Sequence, residues 1–149
     1  IRYWRDWSSD VCSSDLVRRL FMENYLAKAQ SKSGKWAMFI GRWQPWHEGH
    51  RWLIDQALNQ DKHVLLCIRD VPVSDKNPWT AQEILMNLSN ELKDVLETGK
   101  LQIMKIPDIE SINIGRGVGY DIIEHVPPTE IEQISATKIR EKMREEGKL

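Results

Sequence analysis

Apolar residues in this chain fall into short continuous runs, separated by stretches whose apolar positions repeat at helical spacing. Trp36-Ala-Met-Phe-Ile40 is one such run, bounded by glycines at 34 and 41, and Val64-Leu-Leu-Cys-Ile68 is another. Continuous runs of this length read as strands buried on both faces of a sheet. Residues 101–106 form a third run, and residues 120–126 are expected to form a fourth strand, ended by Pro127-Pro128. Between the first two runs, Leu53, Ile54, Ala57 and Leu58 make the stripe of a helix over residues 49–59. After the second run, Ile84, Leu85, Leu88, Leu92, Val95 and Leu96 predict one long helix. Thr80-Ala-Gln-Glu83 is a capping box that opens it, and Gly99 suits its end. A last helix is predicted to start near Ser135 or Thr137, both good caps. Residues 70–79 and 107–119 read as loops. This alternation predicts an α/β fold, a Rossmann-like parallel sheet of about four strands with helices on both faces. Ligands of such sheets bind beyond the carboxyl ends of the strands.

The first part of the chain stands apart. Residues 6–16 match the in-frame translation of a common sequencing-adaptor oligonucleotide, so residues 1–16 are expected to be disordered and foreign to the fold. Residues 17–34 are expected to form an N-terminal helix and linker, with Leu20, Phe21 and Tyr25 sharing a face and Ser31-Lys-Ser-Gly34 breaking it. Residues 35–149 then make one domain.

Charge and composition narrow the function. Setting aside residues 1–16 removes two basic and three acidic residues from totals of 21 and 22, which leaves the two signs balanced. Bulk charge therefore points to no nucleic-acid partner. No apolar run reaches membrane-spanning length. Outside residues 1–16, Cys67 is the one cysteine, placed as core filler. The absence of disulfide pairs fits a cytoplasmic setting.

Two motifs carry the chemistry. Gly41-Arg-Trp-Gln-Pro-Trp-His-Glu-Gly-His50 ends the first strand and opens a helix, and Ile134-Ser-Ala-Thr-Lys-Ile-Arg140 opens the last helix. Both put cations or imidazoles at a helix N-terminus. There Lys or Arg is disfavoured by about 0.3–1 kcal/mol, because the helix end already carries partial positive charge. His50 and Arg51 in one motif, with Lys138 and Arg140 in the other, point to an anion that neutralises them, and a phosphate chain fits. Zinc is not expected. His47 and His50 are joined only by His63 and His125, and a structural site needs about four ligands.

In this order and pairing the motifs resemble the HxGH nucleotidylyltransferase superfamily. Residues 41–50 resemble the GRFQPFHxGH signature of archaeal-type nicotinamide-nucleotide adenylyltransferases and related adenylyl- and cytidylyltransferases. Residues 134–140 resemble their ISxTxxR signature, and Asn77-Pro-Trp-Thr80 resembles their NPFT segment. The resemblance implies the Rossmann-like HUP-type fold. It also implies transfer of AMP or CMP from ATP or CTP to a small phosphorylated or hydroxyl acceptor, with release of pyrophosphate and use of Mg2+. It implies that His47, His50 and Arg140 are catalytic. Gly41, Arg42, Gly49, Ser135, Thr137 and Lys138 would bind the nucleotide, and no protein-held metal site is expected. The partners implied are a nucleoside triphosphate and a small-molecule acceptor, with no nucleic acid, no membrane, and a homo-oligomer open. Adenylyl transfer is favoured over cytidylyl transfer. A non-catalytic nucleotide-binding or regulatory domain of a larger bifunctional protein is the alternative.

The chain also departs from that pattern. Relatives carry arginine after the glutamate that follows NPFT, and here Ile84 stands there. Arg116, in Gly115-Arg-Gly-Val-Gly119, either replaces that arginine or belongs to a flexible loop. No counterpart of the relatives' acceptor-binding segment precedes the last strand, which argues against nicotinamide mononucleotide as acceptor. Trp43, Trp46, Trp52 and Trp79 either stack on a base or pack in the core.

Overall fold

The computed structural model describes residues 35–149 except Val118. The expectations for residues 1–16 and 17–34 lie outside the described residues. Strand β1 spans Trp36–Gly41, helix α1 Glu48–Leu58, and β2 His63–Asp70. Helices α2 (Ala81–Glu91) and α3 (Lys93–Glu97) follow, and then β3, Leu101–Pro107. Helices α4 (Thr129–Glu132) and α5 (Ala136–Glu145) close the order.

The three strands are parallel in the order β1-β2-β3. Trp36 pairs with His63 in the first ladder, and Val64 with Leu101 in the second. One face of the sheet carries Val64, Leu66, Ile68, Leu101 and Ile103, all buried in one core with Ile54 of α1 and Ile84 and Leu88 of α2. Each such side chain removed from water contributes about 1.5–3 kcal/mol. Cys67 is buried, and burial pushes its thiol pKa up, as for a packing residue.

The capping box forms as expected: the Thr80 hydroxyl accepts from the Glu83 N–H, and the Glu83 carboxylate accepts from the Thr80 N–H at 2.7 Å. The expected single long helix is instead two. Leu92, at φ −106° and ψ 20°, leaves helical geometry between α2 and α3, while its fully buried side chain keeps both pieces on the core. Gly99 then takes φ +73°, a conformation open to glycine, where α3 gives way to β3.

The sheet has three strands and not four. Residues 120–126 form no strand among the described residues. The physical reason lies in their pattern. Asp121, Glu124 and His125 interrupt the apolar residues, so the segment lacks the continuous apolar run of β1 and β2 and cannot be buried on both faces. Tyr120, Ile122 and Val126 are accordingly exposed. His125 stacks on Phe39 of β1, with ring centroids 6.3 Å apart.

Candidate active site

The site is built on the loop that carries the chain from β1 to α1. Trp43 holds that loop down. Its indole is buried, and Nε1 donates to the Cys67 carbonyl of β2 at 3.0 Å. A Cβ on Gly41 would lie 2.8 Å from the Trp43 ring, so Gly41 is the residue that lets the indole fold back. Trp43 itself sits at φ +54°, a left-handed conformation costly for a bulky residue and tolerated where packing over-determines it. Next, Gln44 is clamped in both directions to Trp79: its Nε2 donates to the Trp79 carbonyl at 2.8 Å, and its Oε1 accepts from the Trp79 N–H at 3.1 Å. These two bonds tie the loop after β1 to the loop before α2.

His47 caps α1. Its Nδ1 accepts from the Gly49 N–H at 3.1 Å. An acceptor at Nδ1 places the ring proton of neutral His47 on Nε2, which leaves that N–H as a donor. A Cβ on Gly49 would lie 2.9 Å from His47 Cε1 and Nδ1, so only glycine admits this cap. His50, one turn on, stacks on His47 with centroids 3.6 Å apart and packs against Trp43 and Trp46. Its Nδ1 is buried and has no hydrogen-bond partner. Burial lowers the His47 pKa to about 4. Burial, then the nearby charge of His47, lowers that of His50 to about 3. Both imidazoles are neutral at pH 7, so the cationic helix start expected of His50 is instead a pair of neutral polar rings.

The second motif meets the first. Ser135 caps α5, its hydroxyl accepting from the Lys138 N–H at 3.2 Å. Arg140 is buried, and its Nη1 donates to the Gln44 carbonyl at 2.5 Å while Nη2 donates to the Thr137 hydroxyl at 3.3 Å. No carboxylate pairs with it among the described residues. Burial, then the guanidiniums of Arg144 and Arg42, hold its pKa below the ordinary value, against a smaller opposing pull from the Glu141 carboxylate. A buried guanidinium with no carboxylate at ion-pair distance, near two further arginines, is a costly arrangement that an anion would relieve. Arg42 reaches Asn77 Oδ1 at 3.4 Å, and Arg144 donates to the Asp75 carbonyl. Thr137 and Lys138 are exposed.

Arg51 is corrected. It does not wait for an anion but pairs with Asp55 at 3.0 Å and Asp94 at 3.1 Å. Trp43 and Trp79 are core residues, which rules them out as base-stacking platforms. Ile84 is fully buried, and Arg116 lies exposed. His47, Gly49 and His50 line an open cavity of about 270 Å³ together with His125, Ile131 and Ile134. Gln44 and Asn77 lie in the sequence motifs without an assigned role, and Arg144 lies outside them; the structure places all three beside Arg42 or Arg140. The hydrogen bonds of Gln44 and Arg144 span 35 to 96 positions, and no local pattern encodes them.

Fold and site together define a parallel-sheet α/β domain with a cluster of arginines and neutral imidazoles where two loops and two helix starts converge. No family model matches the chain. It is similar to proteins named nicotinamide-nucleotide adenylyltransferase. That of Methanococcus aeolicus is 30% identical over 114 residues, 74% of this chain and 63% of that protein. That of Saccharolobus solfataricus is 32% identical over 80 residues, 52% of this chain and 46% of that protein. That of Methanospirillum hungatei is 29% identical over 75 residues, 49% of this chain and 42% of that protein. The chain thus spans 42–63% of the length of these curated relatives. The similarity ties it to nucleotidylyltransferase-like proteins at low identity.

Proposed function

We propose that the domain is a nucleotidylyltransferase that moves AMP, in preference to CMP, from a nucleoside triphosphate to a small phosphorylated or hydroxyl acceptor. An acceptor oxygen bonds to the α-phosphorus, the bond to the bridging oxygen breaks, and pyrophosphate leaves with the electron pair. The observation that carries this reading is the buried Arg140, hydrogen-bonded to Gln44 and to no carboxylate, which joins the two motifs in one cluster. Arg140, Arg42, Thr137 and Ser135 would hold the β- and γ-phosphates, with Lys138 in the same turn. Neutral His47 and His50 would donate to oxygens whose charge grows as pyrophosphate departs, without requiring a proton from solvent. Gly49 shapes the His47 cap, and Gly41 seats Trp43. The names of the relatives support adenylyl transfer, and nicotinamide mononucleotide is the acceptor those names suggest for testing.

The described residues contain no group of three or more His, Cys, Asp or Glu side chains able to hold a metal. They do not fit a protein-held Mg2+ site. Magnesium would belong with the triphosphate whose charge it neutralises. No helix among the described residues is long and apolar enough to cross a membrane. A cytoplasmic setting, no nucleic-acid or membrane partner, and an open homo-oligomeric state remain part of the proposal.

Pyrophosphate release tests it, with ATP or CTP, Mg2+ and a panel of acceptors that includes nicotinamide mononucleotide. Release that depends on enzyme, nucleotide and acceptor is expected. Nucleotide binding without release from any acceptor overturns the catalytic reading and leaves a nucleotide-binding regulatory domain.

A further inference from the structure

The sheet has a second face. Side chains alternate along each strand, so the register turns Met38, Ile40, Leu65, Cys67, Gln102 and Met104 away from the core that α1 and α2 close. None of the six belongs to that core cluster, which also takes in Val95 of α3 and Met143 of α5. Helix α4 packs on α1 instead. Among the described residues, then, no helix covers this face, and Met38 is 58% and Met104 36% exposed. Parallel sheets bury both faces, and the continuous apolar run of β2 is suited to that. Gln102 does not fit an open face either. It is buried, and its Oε1 has no hydrogen-bond partner. On an open face water would reach that oxygen, and a buried acceptor calls for a donor.

We propose that residues 17–30 of this same chain, which lie outside the described residues, dock as an amphipathic helix on this second face. Val17, Leu20, Phe21 and Tyr25 share one stripe at helical spacing, and Arg19 and Glu23 fall on the opposite side. Asn24 falls on the apolar stripe. Its amide, like the Tyr25 hydroxyl, is the kind of donor that Gln102 Oε1 lacks.

Length and tether fit. A helix over residues 17–30 would be about 21 Å long. Strand β2, of eight residues, is about 26 Å long, so the helix would run along most of the sheet. Ser31-Lys-Ser-Gly34 leads straight into β1 at Trp36. Four residues reach about 13 Å, and packed layers lie about 10 Å apart. The linker therefore suffices to turn the segment back over the strands. Being part of the chain, the segment meets the face at an effective concentration on the order of millimolar. That favours it over a second copy of the protein.

Oxidation of methionines by hydrogen peroxide, mapped by peptide mass spectrometry on the full chain, tests this docking. Phe21→Glu should speed oxidation of Met38 and Met104 by about 10-fold or more, the equilibrium shift from withdrawing one buried phenylalanine. Arg19→Glu, on the opposite side of the stripe, should leave both rates as in wild type. Met143, 2% exposed in the core of the other face, should stay protected throughout and show that the domain is folded. Equal rates in wild type and Phe21→Glu, with Met143 protected, overturn the proposal. Wild-type protection that disappears on dilution, with a dimer in sedimentation velocity, overturns it in favour of a second copy. If Phe21→Glu exposes Met143, the milder Phe21→Ala and Tyr25→Ala provide the same comparison.

Discussion

Acidification should destabilise this domain through His50 more than through any ordinary surface group. In the folded protein its pKa is about 3, against 6.5 for a free imidazole, and burial is the main cause. The unfolded chain therefore binds a proton between pH 6.5 and 3 that the folded chain refuses. Stability is fully present above pH 6.5 and falls as pH drops toward 3, because the unfolded state holds more protons there. Between pH 7 and pH 5 the loss from His50 is about 2 kcal/mol. His47, with a pKa of about 4, adds in the same direction, but it is more exposed and its share is discounted for solvent screening. Urea denaturation at pH 7 and pH 5 measures this, with His50→Phe as the comparison. Phenylalanine keeps a ring between Trp43 and Trp46 and does not titrate, so the difference between the two proteins cancels every other group. Wild type should lose about 2 kcal/mol more than the variant over this interval. Equal losses would refute the burial of a neutral His50.

Other outcomes follow from single contacts. Gly49→Ala puts a Cβ 2.9 Å from the His47 ring, so the cap bond breaks. About 1 kcal/mol of stability should go with it, read by denaturation, and an unchanged midpoint would contradict the cap. Arg51→Ala should cost under about 1 kcal/mol and leave ATP affinity unchanged, since Asp55 and Asp94 account for its charge. Weakened ATP binding in that variant would put Arg51 back at the anion site. His50→Ala should lower the rate of pyrophosphate release by about 100–1,000-fold while the protein stays folded, and wild-type turnover would sink its catalytic role.

Much of this architecture was legible in the chain because it is local. The runs at 36–40 and 64–68 need only their own apolar residues to become buried strands, and Thr80 with Glu83 writes a helix start in four positions. The break at Leu92 was hidden because the apolar stripe continues through it. The fourth strand failed for a related reason: residues 120–126 hold apolar residues, but Asp121, Glu124 and His125 interrupt the continuous run that a strand buried on both faces needs. At the site, residue types and helix starts were readable, and the partners were not. Arg51 and Arg140 look alike in sequence, each a cation in a first turn. Two aspartates answer the first, while the second is buried beside a carbonyl and a hydroxyl. Charge pattern alone could not tell them apart. The tautomer of His47 and the clamp of Gln44 on Trp79 likewise exist only once the loop is folded.

Calorimetric titration of Mg·ATP into the protein at pH 7, wild type against Arg140→Ala, asks most directly whether the two motifs hold a triphosphate. Saturable binding at one site is expected, weakened about 10-fold or more in the variant, the usual cost of losing a charged hydrogen-bond donor. Absence of binding to the folded wild-type protein, or equal affinity in the two, would contradict it.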